Sequence, residues 1–277
     1  MGIPGFKFFW AKCSGKVVCL SVAFLVTALL ARSADAHPFW IEPENFHPAV
    51  GAKVPLRLLV GVDFKGESIP YVPEQFERYV YAGPDGKHDI PGTLGDDPAG
   101  SMPINAAGFY TVGYYSGKFE LAFDSFPEFE EYLKLEGLER NLQLAQRRFK
   151  IRKGILEQYR RCAKALIRGG DATGPIDHVL GFPLELVAET NLYDGSAKVR
   201  VRLVYRDRPL ENALVIAFSK KDPLEPQRIR TDHDGRATIE LNKPGVWLLN
   251  AVHMIPTGIL SRADWESFWA SLTFERP

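Results

Sequence analysis

The residues in this chain best able to do chemistry are its six histidines: His37, His47, His88, His178, His233 and His253. None belongs to a His-Glu-x-x-His or zinc-finger pattern, so any site they form must be assembled by the fold. His37 stands apart because it follows Ala34-Asp35-Ala36, a small-residue end of the kind cleaved from secretory leaders. Lys7, Lys12 and Lys16 make a positive start, and Val17 to Ala31 is a mostly apolar stretch of 15 residues. Residues 1–36 therefore read as a signal peptide. Cutting after Ala36 makes His37 the first residue, and its α-amine and imidazole Nδ1 can chelate one divalent ion. Imidazole suits zinc, copper, nickel and iron, and a tetragonal nitrogen site favours Cu(II) or Ni(II). Pro38 has no amide proton, which excludes the N-terminal motif that uses deprotonated amides.

Two further histidines are candidate ligands. His253 ends an apolar stripe with Trp247, Leu249 and Ala251, on one face if the segment is extended. With His37 it would complete a three-nitrogen set like the histidine brace of copper oxygenases and of some periplasmic copper carriers. His47 sits in a proline-flanked turn and is placed to add a ligand. Each has a plain structural alternative: His253 as a hydrogen-bonded core residue, His47 as surface loop, and His37 as whatever residue cleavage leaves. His88 and His233 lie beside glycine turns and are expected to be exposed. Asp232-x-Asp234-Gly235 lacks the first and last acids of a calcium loop and reads as a hairpin turn. There is no Gly-x-Ser-x-Gly elbow, P-loop or dinucleotide fingerprint, and Glu185 and Glu189 alone make no acid–base pair. No catalytic set is visible, so the chain is not expected to be an enzyme.

The 277 residues carry 34 basic and 34 acidic side chains. The leader takes four bases and one acid, leaving 30 against 33. That balance excludes a nucleic-acid partner, which calls for a basic excess. Cys13 and Cys19 leave with the leader, so Cys162 is a lone thiol and no intrachain disulfide forms. No stretch after residue 36 has the apolar length of a membrane span.

The elements fall into three blocks. From His37 to about residue 124, strand-like runs at 54–60, 76–81 and 108–115 are separated by turns at 83–86, 91–92 and 95–98. Residues 125–170 read as a helical insert. Ser125 to Glu128 has the spacing of a capping box. Apolar residues from Phe129 to Phe149, and then Ile155, Tyr159, Ala163 and Leu166, recur at helical spacing. The basic run Arg147, Arg148, Lys150, Arg152 and Lys153 reads as a solvated face. From 171 to 277 the strand pattern returns: Val199, Val201, Leu203 and Tyr205 alternate with polar neighbours, and strands follow at 213–218, 236–241 and 246–254. The expected architecture is mainly β, with two immunoglobulin-like or transthyretin-like sandwich regions (37–124 and 171–277) joined by a helical segment. Gly108-Phe109-Tyr110 and Gly245-Val246-Trp247 each open an apolar strand, a weak echo of duplication.

Several segments carry a resemblance. These are the leader with His37-Pro38-Phe39-Trp40-Ile41-Glu42-Pro43, then Gly181-Phe182-Pro183-Leu184-Glu185-Leu186, and Thr231 to Arg236. Gly245 to Met254 and Asp264 to Phe274 complete the set. Together they resemble the secreted "domain of unknown function 4198" family over nearly the whole mature chain. The resemblance implies an immunoglobulin-like C-terminal domain and a link to periplasmic nickel or cobalt uptake. His37 and His253 match family motif positions. The expected function is a periplasmic protein that binds nickel, cobalt or copper through His37, His253 and His47, and that has a membrane metal transporter as a possible partner. The alternative is a non-metal module for a peptide, glycan or partner protein, with Trp40, Trp247, Trp265 and Trp269 supplying aromatic surface. A copper-dependent oxidative enzyme shares the brace but lacks a platform of exposed aromatics.

Overall fold

Strand β9 (Ile155–Gly169) is the spine of the molecule, and it lies where the spacing predicts helix. The reason is visible in its neighbours. Ala163, Ala165 and Ile167 enter one apolar cluster and Cys162 and Leu166 another, so both faces of the strand are buried from Cys162 to Ile167. A strand buried on both sides loses the period-2 alternation and is apolar throughout, as a buried helix is. The helical insert is correspondingly shorter than expected. A computed structural model describes residues 37–149, 154–258 and 260–277. The signal-peptide expectation for 1–36, and Lys150, Arg152 and Lys153 of the basic run, lie outside the described residues.

In chain order the first half holds β1 (Phe39–Pro43), β2 (Lys53–Val62), β3 (Lys65–Ile69), β4 (Phe76–Gly83), β5 (Gly86–Asp89), β6 (Ser101–Pro103), β7 (Gly108–Ser116) and β8 (Phe119–Phe123). A helical hairpin follows, α1 (Phe126–Leu135) and α2 (Glu139–Phe149). After β9 come β10 (Leu184–Ala188), β11 (Lys198–Tyr205), β12 (Arg208–Pro209), β13 (Leu214–Ser219), β14 (Asp222–Arg230), β15 (Arg236–Glu240), β16 (Gly245–Pro256) and β17 (Trp265–Arg276). Among the described residues no helix is long and apolar enough to cross a membrane.

One nine-stranded sheet runs β14-β13-β16-β17-β9-β7-β4-β5, with β8 continuing β7 along the same edge of β9. Every pairing in it is antiparallel except β17 with β9. Two small sheets cover opposite faces. Sheet β1-β2-β3, with β6 beside β2, packs Ile41, Leu56 and Leu58 against the Ala163 face of β9. Sheet β10-β11-β12, with β15 beside β11, packs Leu186, Val201 and Leu203 against the Cys162 face. Cys162 is therefore core, on a strand and not a helix, and burial pushes its thiol up to about 12.

The Ser125 half of the capping box forms, and Glu128 reaches back one residue beyond the N-cap. Ser125 Oγ accepts from Glu128 N at 3.4 Å, and Glu128 Oε2 accepts from Asp124 N at 3.0 Å. Helix α1 then lays Phe129 on Trp265 (5.9 Å between ring centroids) and Tyr132 flat on Trp269 (6.1 Å, 16°). The two tryptophans share a face of β17, four residues apart, and are core, with 0% and 4% exposure. Asp232 Oδ1 accepts from Asp234 N and Arg236 N and closes the turn between β14 and β15, but β14 pairs with β13 and β15 with β11, so the turn links two sheets and is not the expected hairpin.

Candidate functional site

The best-built feature outside the core is a loop between β9 and β10, and its construction starts from a buried charge. Lys164 of β9 is fully buried and lies within 2.8–2.9 Å of both Asp177 oxygens and of Glu185 Oε1. Its third proton goes to Leu186 O at 3.1 Å. The carboxylates hold its ammonium above the ordinary range against the burial that opposes it. Asp177 also accepts from Thr111 Oγ1 and Ala188 N. Glu185 accepts from three successive amides, those of Leu180, Gly181 and Phe182, at 2.8, 2.9 and 3.1 Å. Three donors on one carboxylate curl the chain over it, and Gly181 takes the positive φ (+69°) that this demands.

The carbonyls of the same turn face Arg78 of β4. Its guanidinium donates to Leu180 O at 3.0 Å and Gly181 O at 2.9 Å and lies 4.7 Å from the Phe182 ring centroid. Beneath, Gly113 has no side chain because a Cβ there would come within 2.1 Å of Leu180 Cδ1. Gly181-Phe182-Pro183 is thus fixed through its amides, its carbonyls and its ring.

That fixed turn walls a hollow of about 370 Å³. Its floor is aromatic: Phe182 stacks on Tyr115 (5.7 Å, 23°), and Phe268 of β17 continues the surface. Charged side chains rim it: Lys118, Arg160, Arg206, Asp207 and Glu266. Arg160 is held by Glu77 at 2.6 Å and Ser116 O at 3.1 Å. Arg206 and Asp207 form the tight β11–β12 turn, both at positive φ (49° and 62°), and Arg206 N donates to Pro183 O.

His253 lies next door. Its ring is 4.3 Å from that of Tyr205, which in turn contacts Phe268. Burial, with Arg206 and Arg140 nearby, pushes it down to about 4, so it is a neutral imidazole at neutral pH. It lines a second, wider hollow of about 1010 Å³ between the start of α2 and the β16 edge.

The other sequence candidates lie elsewhere. His47 Nε2 is 3.4 Å from Glu275 Oε2, and burial lowers its pKa against the pull of that carboxylate. His253 pairs with Phe268, seven residues before Glu275 on β17, a separation of about 23 Å along the strand. His47 and His253 are therefore well separated. His37 is separated from β1 by Pro38; the first residue of that strand, Phe39, lies 4.8 Å from the Arg161 guanidinium, on the opposite face of the sheet from Tyr205. Among the described residues no group of three or more histidine, cysteine or carboxylate side chains is disposed to hold a metal ion. His88 and His233 are exposed, as expected.

Comparison with known families settles the kinship. The model of a domain of unknown function, DUF4198, matches residues 34–255. This chain belongs to that family. The match spans the Gly181–Leu186 turn and stops just after His253. No curated protein matches this DUF4198 chain. Among solved structures it is similar to a tetra-tandem repeat in the extending region of a large adhesion protein. There the identity is 10%, the TM-score 0.21, and the match covers 86% of this chain and 49% of that one. It is also similar to the D0-D1 domain of intimin (10%, TM-score 0.20, covering 84% and 96%). Likenesses at that level carry no argument about this DUF4198 protein. Lys164 and Arg78 escaped the sequence reading. The signal for Lys164 was there: a lone cation in Cys162-Ala163-Lys164-Ala165-Leu166-Ile167 has to find buried anions.

Proposed function

We propose that this DUF4198 protein is a secreted binding module, not an enzyme, that takes a small polar organic ligand or the end of a peptide in the Phe182 hollow. The observation that carries this reading is the wall fixed in advance by Glu185 and Arg78. A wall ordered before the ligand arrives removes much of the ordering cost of binding. An aromatic floor with a few placed polar groups is the usual make-up of a small-ligand site. The lining contains no Ser, Cys or His that would pair a nucleophile with a base.

A thermal-shift screen of amino acids, short peptides and glycans tests it. Some ligand class is expected to raise the melting temperature by several degrees. The shift should vanish in Arg78→Met, which releases the turn carbonyls while far-UV circular dichroism stays native. No shift with any class, or the same shift in the variant, sinks the reading.

Nickel, cobalt or copper handling, with delivery to a transporter, is the second reading. One observation favours it: the neutral His253 imidazole is the form that ligates metal. Against it, His47 and His253 are held about 23 Å apart along β17, and no group of three histidine, cysteine or carboxylate side chains among the described residues is disposed as a metal centre needs. Nickel and copper uptake by His253→Ala, measured by titration calorimetry, is therefore expected to equal that of the parent protein. A loss of stoichiometric uptake in that variant would restore the metal reading.

A further inference from the structure

The rim of the Phe182 hollow carries both signs of charge, and their bookkeeping is selective. Arg160 is already matched by Glu77. Lys118, Arg206, Asp207 and Glu266 make no ion pair among the described residues, yet all four line the same hollow of about 370 Å³. Two cations and two anions without an ion-pair partner thus line one hollow, the Arg206 guanidinium lying 5.0 Å from the Tyr205 ring centroid. A ligand that is only an anion gains from the first pair and is repelled by the second, and a pure cation meets the converse. A zwitterion satisfies both, and mixed charge of this kind rejects single-sign ligands more than it adds raw affinity.

The sheet sets the spacing. Phe268 of β17 pairs with Arg160 of β9, and Glu266 lies two residues before Phe268 on the same face. The Cα atoms of Arg160 and Glu266 are thus about 8 Å apart, one strand spacing across and two residues along. Arg160 is already matched by Glu77, so Glu266 shares the hollow instead with Lys118, from the β7–β8 connection, and with Arg206 and Asp207, from the β11–β12 turn. Arg78 and Arg160 sit over Tyr115, and Arg78 over Phe182, so those ring faces are taken by guanidinium groups. That disfavours a quaternary ammonium seated on the rings. Phe268 and Pro183 remain to receive an apolar side chain.

We propose that the hollow binds a free α-amino acid, with its carboxylate toward Lys118 and Arg206, its ammonium toward Glu266 and Asp207, and an apolar side chain against Phe268. This rests on the binding-module reading above and narrows it to one ligand class.

The test is calorimetric titration of the full chain at fixed ionic strength with three probes that share a phenylethyl core: L-phenylalanine, 2-phenylethylamine and 3-phenylpropanoate. L-Phenylalanine is expected to bind about tenfold more tightly, or more, than either probe lacking one charge. Glu266→Gln is expected to weaken L-phenylalanine about tenfold while leaving 3-phenylpropanoate no weaker. Equal binding of the amine or the acid overturns the proposal, as does silence with all three probes or an unchanged affinity in Glu266→Gln. A ligand from the screen that still loses its shift in Arg78→Met would then show that the module reading stands and the amino-acid assignment alone has failed.

Discussion

Replacing Lys164 with methionine is expected to lower the unfolding free energy by about 3–5 kcal/mol, the usual cost of breaking a buried ion pair from one side. The substitution keeps the aliphatic bulk but leaves Asp177 and Glu185, both about 1% exposed, without their counter-ion. Glu185 keeps its three amides; Asp177 keeps only a hydroxyl and an amide. Asp177 is therefore the side that suffers. Adding Asp177→Asn to Lys164→Met should give a loss smaller than the sum of the two single losses, because the second change removes the stranded charge. Urea unfolding of the four proteins of this cycle measures the coupling. Strict additivity would mean that the cluster does not act as one unit. The same cluster fixes the Gly181–Pro183 wall, so Lys164→Met should also blunt any thermal shift that a ligand produces.

The second large effect concerns pH. Glu157 of β9 is fully buried under α1. Its Oε1 accepts from Tyr132 O–H at 3.0 Å and from Ser267, whose oxygen also accepts from Trp269 Nε1. Its Oε2 is buried with no partner. Burial pushes the carboxyl up to about 7, against the hydrogen bonds that favour ionisation. Glu136, at the end of α1, is also raised to about 7 by burial, with Arg228 opposing and Glu157 adding to the shift. The folded state thus holds a proton on Glu157 in a range where the unfolded chain has released it. Stability is full below the ordinary carboxyl pKa near 4.5 and is lost as pH rises to about 7. The loss attached to Glu157 is about 3 kcal/mol. Glu157→Gln is expected to recover most of this at pH 8 and to gain little at pH 5. His253 runs the other way, since its lowered pKa costs stability as pH falls from about 6.5 to about 4. The difference between the parent protein and Glu157→Gln isolates the carboxyl, because His253 is common to both. Parallel stability curves across pH would rule out a protonated Glu157.

Strands exposed on one side were legible in the sequence, and strands covered on both sides were not. β11 alternates because its inner face meets the core while Arg200 and Arg202 face outward, and its pattern reads at once. β9 from Cys162 to Ile167 and β17 from Ser267 to Phe274 do not alternate, because the central sheet is roofed on both faces there. β9 therefore passed for a helix, and β17 was visible only as a family motif. At the site, Gly181-Phe182-Pro183-Leu184-Glu185-Leu186 drew attention as a string. What holds it comes from Arg78, 102 residues away for the bond to Leu180, and pairing over that distance leaves no local trace. The histidines show the converse. His47 and His253 share a chemistry on paper, but their partners on β17, Glu275 and Phe268, lie about 23 Å apart.

β17 is the last strand among the described residues, yet it lies inside the central sheet, between β16 and β9. Until it is in place, the sheet exists as two pieces, each with a bare rim of unpaired amides and carbonyls. Such rims are templates for wrong pairing, and a chain emerging from a ribosome or a membrane pore would present both of them for most of its passage. The protein can complete its main sheet only after its closing segment arrives. A chaperone that shields strand edges would serve it until then.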